Sequence, residues 1–147
     1  MNTLYIPIGL PGSGKSTWAR AWAKSVVPTV IVCRDDLRNM LYSTPWSPEN
    51  EEFTRRTEAL IVFEAIKSGR DVVMADTNFD PAWRKYMATS VKIGFRANVF
   101  EIPFETAIEE CIRRDAQREI GCVGADVIRK MAQQWNVQDD GTFEIPS

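Results

Sequence analysis

Gly9-Leu10-Pro11-Gly12-Ser13-Gly14-Lys15-Ser16, followed by Thr17, has the spacing G-x-x-x-x-G-K-[ST] of a phosphate-binding loop, the P-loop. The flanks agree with the motif. Leu4-Tyr5-Ile6-Pro7-Ile8 before it is an apolar run that reads as a strand. Thr17-Trp18-Ala19-Arg20-Ala21-Trp22-Ala23-Lys24 after it reads as a helix. The chemistry explains the spacing. Gly9, Gly12 and Gly14 carry no Cβ, so the backbone can bend closely round phosphates and aim N–H groups at them. The helix that follows adds its positive end. Gly12, Ser13, Gly14, Lys15, Ser16 and Thr17 are therefore the candidate nucleotide site, with Lys15 reaching the β- and γ-phosphates of ATP and the Ser16 hydroxyl a ligand for Mg²⁺.

Working outward, further strands alternate with helices. Thr29-Val30-Ile31-Val32-Cys33 and Asp71-Val72-Val73-Met74-Ala75 are β-branched or apolar strands, and Phe95 to Ile102 is the last. Ser47-Pro48 reads as an N-cap with Pro at the first helical position, and Glu49, Glu51 and Glu52 suit the start of a helix dipole. Gly69 ends that helix. Asp80-Pro81 opens another, closed by Gly94. A stripe of Phe104, Ala107, Ile108, Cys111 and Ile112 marks a helix starting near Phe104, and Val127, Ile128, Met131 and Trp135 mark a final one. The pattern predicts an α/β fold, a mostly parallel sheet with helices on both faces. The expected division is a kinase domain over 1–137 and a polar C-terminal tail over 138–147.

Ligands of such sheets bind beyond the carboxyl ends of the strands. Two more clusters fall there. In Arg34-Asp35-Asp36-Leu37-Arg38, one carboxylate, Asp36, is expected to cap the short helix that follows. Asp35 is left as the base for an acceptor hydroxyl or as a contact to the water shell of Mg²⁺. Arg38, a turn later, is either a surface charge or a fork for an acceptor phosphate. In Asp76-Thr77-Asn78, Asp76 sits where a Walker B carboxylate would hold Mg²⁺ or its waters, and all three residue types also favour turns. Farther on, Arg113 lies opposite the apolar stripe, while Arg118 falls near it and Arg114 on its flank. The loop Glu119-Ile120-Gly121-Cys122-Val123-Gly124 follows, which reads as a hinged lid bringing arginines onto a transferring phosphoryl group. Trp18, Trp22, Trp83 and Trp135 fit helical core positions. Trp46, in the loop Tyr42 to Ser47, could stack on a base, a role the sequence does not assign to it.

Composition narrows the classes. A chain of 147 residues suffices for one core, and 44% hydrophobic content makes disorder the wrong default. No apolar run nears the ~20 residues of a membrane span, so no membrane partner is expected. Met1-Asn2-Thr3 carries no basic leader, and three cysteines without C-x-x-C suit a reducing compartment, so a cytoplasmic location is expected. A net charge of −2 restricts any nucleic-acid contact to a short, local one. With no histidine in the chain, proton abstraction falls to a carboxylate, a lysine, a tyrosine or water.

These blocks together resemble the kinase domain of bacteriophage-type 5′-polynucleotide kinases. The likeness runs through Gly9 to Arg20, Arg34-Asp35-Asp36-Leu37-Arg38, Asp76-Thr77-Asn78-Phe79-Asp80-Pro81, and Arg114 to Arg118 with Val127-Ile128-Arg129-Lys130-Met131. Tyr42 to Gly69 carries the least of it. The resemblance implies the three-layer P-loop kinase form of the α/β fold, with an arginine-bearing lid, and transfer of the ATP γ-phosphate to the 5′-hydroxyl of DNA or RNA. It implies Lys15 and Ser16 on phosphate and metal, Asp35 as general base, Arg38 on the acceptor's 3′-side phosphate with Asp76 and Thr77 nearby, and Arg118, with Arg114, on the transferring phosphates. Bifunctional members add a phosphatase domain opening D-x-D-G-T. Here Gln138-Asp139-Asp140-Gly141-Thr142 has Gln at the first position and no apolar strand before it, so it reads as a polar turn. A kinase for a small alcohol, such as a sugar or nucleoside, and a nucleotide-dependent switch are the competing readings.

Overall fold

A computed structural model describes residues 2–25, 28–44 and 46–147. Met1 and Pro45, the latter within the loop expected over Tyr42 to Ser47, lie outside the described residues. Four strands, β1 (Thr3–Ile8), β2 (Thr29–Val32), β3 (Asp71–Met74) and β4 (Asn98–Pro103), form one sheet in the order β2-β3-β1-β4, every pairing parallel. The helices among them are α1 (Lys15–Ser25), α2 (Arg34–Leu41), α3 (Pro48–Lys67), α4 (Pro81–Phe95), α5 (Ile108–Ala116) and α6 (Ala125–Gln134).

Alternation along the strands divides the core between the two sheet faces. Leu4, Ile6, Ile8, Val72 and Met74 join the main cluster with Ala59, Val62 and Ile66 of α3 and Met87 and Val91 of α4. Tyr5, Val73 and Ala75 face the other way, onto Trp18, Ala19 and Trp22 of α1. The three-layer α/β arrangement expected from the strand–helix alternation is therefore present.

Pro7 sits in β1, a central strand, where a missing N–H would normally break a ladder. Here β1 and β3 pair only at Leu4–Val72 and Tyr5–Val73. Beyond them the Pro7 carbonyl accepts from Asn78 Nδ2 at 2.8 Å. The strands splay at their carboxyl ends, and a side chain takes over the pairing where a ligand cleft opens.

Local signals set most boundaries. Ser47 Oγ accepts from Asn50 N at 3.1 Å, and Asp80 accepts from Ala82 N at 3.0 Å, so both expected N-caps form. Three expectations need correction. Helix α4 runs through Gly94 and ends at Arg96 in a left-handed conformation. Helix α5 begins at Ile108, leaving Phe104 in the loop after β4, because the Phe104 N–H bonds the Ile8 carbonyl at 2.7 Å. Asp36 caps nothing: the N-cap of α2 is Cys33, with no side-chain cap, and Asp35 and Asp36 both lie in the first turn.

The C-terminal segment lies against the body. Val137 is buried, Phe143 meets Phe79 edge-on and Trp135 stacks on Phe79 at 5.9 Å. The buried Arg84 guanidinium donates to the Asn78 and Phe79 carbonyls and to that of Pro146.

Candidate active site

The P-loop joins β1 to α1, with Gly12 and Gly14 at φ of +81° and +104°, the region that favours glycine. Gly12 is needed for space as well: a Cβ there would overlap the Cys111 carbonyl, so α5 rests directly on the loop. The loop is braced by Gly9 N to Thr77 O (3.1 Å), Ser13 N to Leu10 O (3.1 Å) and Thr106 Oγ1 to Ser13 O (2.8 Å). The buried Lys15 ammonium donates to the Gly9 and Leu10 carbonyls at 2.8 and 2.7 Å and to Ser13 Oγ at 3.3 Å. Burial first lowers its pKa to about 8, an effect opposed by the nearby Asp76 carboxylate.

An open cleft of about 890 Å³ spreads from this loop, lined by Gly12, Gly14, Lys15, Ser16 and Thr17 together with Arg114 and Arg118. The structure thus brings the two lid arginines to the loop from more than ninety residues away. Arg118 does not lie on the α5 stripe as the periodicity suggested, because α5 ends at Ala116. The buried Asp115 ends the helix. Its carboxylate accepts from Val123 N and Gly124 N at 3.0 and 2.9 Å, which clasps the Arg118 loop shut and supplies the α6 N-terminus with the acceptor Gly124 lacks. Arg113 is solvated, paired with Glu110, which also binds Arg114 Nε at 3.0 Å; the two guanidiniums hold the Glu110 carboxyl down at about 2.

A second polar cluster is built by α2, α3 and the exit of β3, and Asp36 is the α2 residue that lines the cleft. Arg38 donates from Nε and Nη2 to Glu51 at 2.9 and 2.6 Å, and from Nη1 to Asp35 at 2.5 Å. This grip raises the Arg38 pKa and lowers that of Glu51. Glu51 carries its charge at the start of α3, and spacing alone reads it only as a partner of the helix dipole. Asp76 Oδ1 accepts from the Arg34 backbone N–H at 2.8 Å, capping α2 across the sheet, while its buried Oδ2 has no hydrogen-bond partner among the described residues. Thr77 contributes its backbone carbonyl to Gly9. Asn78, at φ +55°, donates to the Pro7, Met74 and Asp76 carbonyls. This last cluster is first of all the clamp that joins the P-loop to β3.

Glu58, one helical face with Glu51 on α3, is fully buried, and its carboxylate oxygens lack hydrogen-bond partners among the described residues. Arg34 Nε stands 3.7 Å from Glu58 and 3.6 Å from Asp76. Burial, then Asp76, pushes the Glu58 carboxyl far up, so it keeps a proton that the unfolded chain releases above about pH 4.3. Its contribution to stability is therefore complete below that pH and falls as pH rises, by up to about 1.4 kcal/mol per unit. Glu58→Gln is expected to match wild type in urea midpoint near pH 4 and exceed it at about pH 8. A variant weakened equally at both pH values would mean that Glu58 is folded as an anion paired with Arg34.

A nucleotide fits this site on two observations: the positive-φ glycines of the loop, and the cleft it opens onto, which Lys15, Ser16, Thr17, Arg114 and Arg118 line. Among the described residues no three His, Cys, Asp or Glu side chains converge as metal ligands. A Mg²⁺ ion here would draw mainly on phosphates and waters, with Ser16 and Asp76 nearby.

The parallel sheet, the P-loop and the arginine loop define a P-loop kinase fold. The chain belongs to the AAA domain family, which matches residues 4–138. A chain of the Pnkp1/Rnl/Hen1 RNA repair complex has the same fold, with a TM-score of 0.78 and 27% identity over 99% of this chain and 47% of that one. A protein of Autographa californica nuclear polyhedrosis virus, provisionally assigned as a bifunctional polynucleotide kinase/RNA ligase, is 30% identical over 129 residues, 76% of this chain and 18% of its own. The L-seryl-tRNA(Sec) kinase of Methanococcus maripaludis is 31% identical over 94 residues, 60% of this chain and 36% of its own. The chain therefore spans less than half the length of each of these proteins. The likeness to polynucleotide kinases expected from the sequence blocks is borne out. No helix among the described residues is long and apolar enough to cross a membrane.

Proposed function

We propose that this domain transfers the γ-phosphate of ATP to the 5′-hydroxyl end of DNA or RNA. The observation that carries the reading is the Asp35–Arg38–Glu51 chain on α2 and α3, with α2 leaving the sheet at the same strand end as the P-loop. Glu51 takes the Nε/Nη2 edge of the guanidinium and Asp35, one helical turn nearer the sheet, takes Nη1, so an acceptor phosphate would share the Arg38 fork with these carboxylates. That pairing suits an acceptor with a hydroxyl at one end and a phosphate one sugar away. The similarities to the Pnkp1 complex and to the viral protein support the same reading.

In this mechanism the loop N–H groups and Lys15 would hold the β- and γ-phosphates, and Ser16, with Asp76 through water, would hold Mg²⁺. Mg²⁺, when bound, neutralises charge on the phosphates. Asp35 takes the proton of the attacking hydroxyl, directly beside Arg38, and the transferring phosphoryl group draws on Arg114 and Arg118. Asp35 would also contact the water shell of that ion, and Thr77 would serve the acceptor.

A 5′-hydroxyl nucleoside 3′-phosphate is expected to be a far better acceptor than the nucleoside. Arg38→Ala should erase that preference, a loss of about 1.5–3 kcal/mol in the acceptor's kcat/KM with the ATP KM little changed. Arg118→Ala should instead lower kcat for all acceptors alike. Equal use of nucleoside and 3′-phosphate by the wild type would favour the second reading, a small-alcohol kinase. The net charge of −2 speaks for that alternative.

A further inference from the structure

Between α2 and α3 lies a pocket of about 150 Å³, lined by Arg38, Asn39, Tyr42, Trp46, Asn50 and Glu51 among others. It is well under the ~300 Å³ of a small-molecule site and suits a single planar group. Its floor is fixed: the Tyr42 hydroxyl bonds the Asn50 carbonyl at 2.8 Å and lies 2.9 Å from Thr54 Oγ1. Trp46 stands at its mouth, 67% exposed.

That exposure is unusual for its position. Trp46 directly precedes the N-cap Ser47, where an apolar residue commonly packs against the fourth residue of the helix as a hydrophobic staple. Here the fourth residue is Glu51, which is committed to Arg38. The indole is thus denied its usual partner, and the cap fixes the direction in which the chain carries it.

Helix α2 gives the pocket a polarity. Asp35 and Arg38 on the helix and Tyr42, its extended C-cap, follow one another at about one turn, ~5.4 Å, apiece. Going away from the sheet, a candidate base comes first, then a phosphate fork, then an aromatic pocket. A 5′-terminal strand presents its groups in that sequence: hydroxyl, first phosphate, second nucleoside.

We propose that this pocket receives the second nucleobase of the acceptor strand, counted from the 5′ end, stacked on the Trp46 indole. The assignment rests on the polynucleotide kinase reading and extends it. Stacking tolerates any base, and Arg38 anchors the phosphate that delivers it.

The test uses the full chain, ATP and two acceptors: a 5′-hydroxyl dinucleotide, and the same molecule with an abasic second residue. The dinucleotide is expected to have the higher kcat/KM by roughly 5- to 150-fold, the range that loss of one base–aromatic stack produces. Trp46→Ala should level the two acceptors, and Trp46→Phe should keep much of the difference. Equal use of both acceptors by the wild type would overturn the subsite alone. So would a Trp46→Ala loss of the same size on both, which marks a structural residue. Failure to phosphorylate either acceptor would overturn the polynucleotide kinase reading itself, and the subsite with it.

Discussion

Lys15→Ala is expected to lose at least about 4 kcal/mol of transition-state stabilisation, roughly three orders of magnitude in kcat. Phosphoryl transfer leaves little covalent work to the protein, so positioning and charge carry the rate. Lys15 is the buried cation at the loop, and the Cγ-to-Nζ chain that reaches the Gly9 and Leu10 carbonyls disappears in the variant. The loop itself should survive, because Thr77, Leu10 and Thr106 hold it through bonds that do not involve the lysine. The loss should therefore appear in a protein of native far-UV spectrum and near-native melting temperature. A second signature follows from burial. Since the ammonium is lowered to about 8, wild-type affinity for ATP should weaken as pH rises through that value, and Lys15→Ala should lack this dependence. Near-normal turnover in the folded variant would remove the nucleotide-site assignment.

Asp35→Asn is expected to lower kcat by about 10²–10⁴-fold with ATP affinity largely kept. The substitution preserves shape and leaves an oxygen to accept from Arg38, so the acceptor wall should stand. What it removes is the basic lone pair. The chain has no histidine to replace it. Asp35 is also the exposed member of its ion pair, its side chain 72% accessible, whereas Asp36 lines the cleft beside the P-loop. Loss of ATP binding with residual kcat intact would make Asp35 a metal or structural residue. Asp36→Asn serves as the matched comparison on the same helical turn.

Much of this architecture is written in short stretches of the chain. The P-loop, the buried strands, the Ser47-Pro48 and Asp80-Pro81 helix starts and the strand–helix alternation each depend on residues within one turn or one strand of each other. Local sterics and hydrogen bonding enforce them wherever the segment lies. The right-handed parallel arrangement then carries Gly12–Thr17, Asp35, Arg38 and Asp76 to the same end of the sheet, so the candidate residues could be named before any contact was known.

What the tertiary structure alone decided is how those residues are held. Glu51 looks like any acid in a first helical turn until α2 packs across it and Arg38 finds both its oxygens. Asp115 looks like a surface charge late in a helix. It is buried, and it ends that helix by capturing two N–H groups eight and nine residues ahead, which moves Arg118 off the helix and onto the cleft. Asp76 reads as a metal carboxylate, yet one of its oxygens is already spent capping α2, forty-two residues away in sequence. Glu58 gives no sign of burial beyond its place on an otherwise ordinary helix. The physical reason is the same in each case. Periodicity and capping are encoded within a few residues, whereas the partner of a polar side chain is fixed only when distant elements close on it and water is excluded.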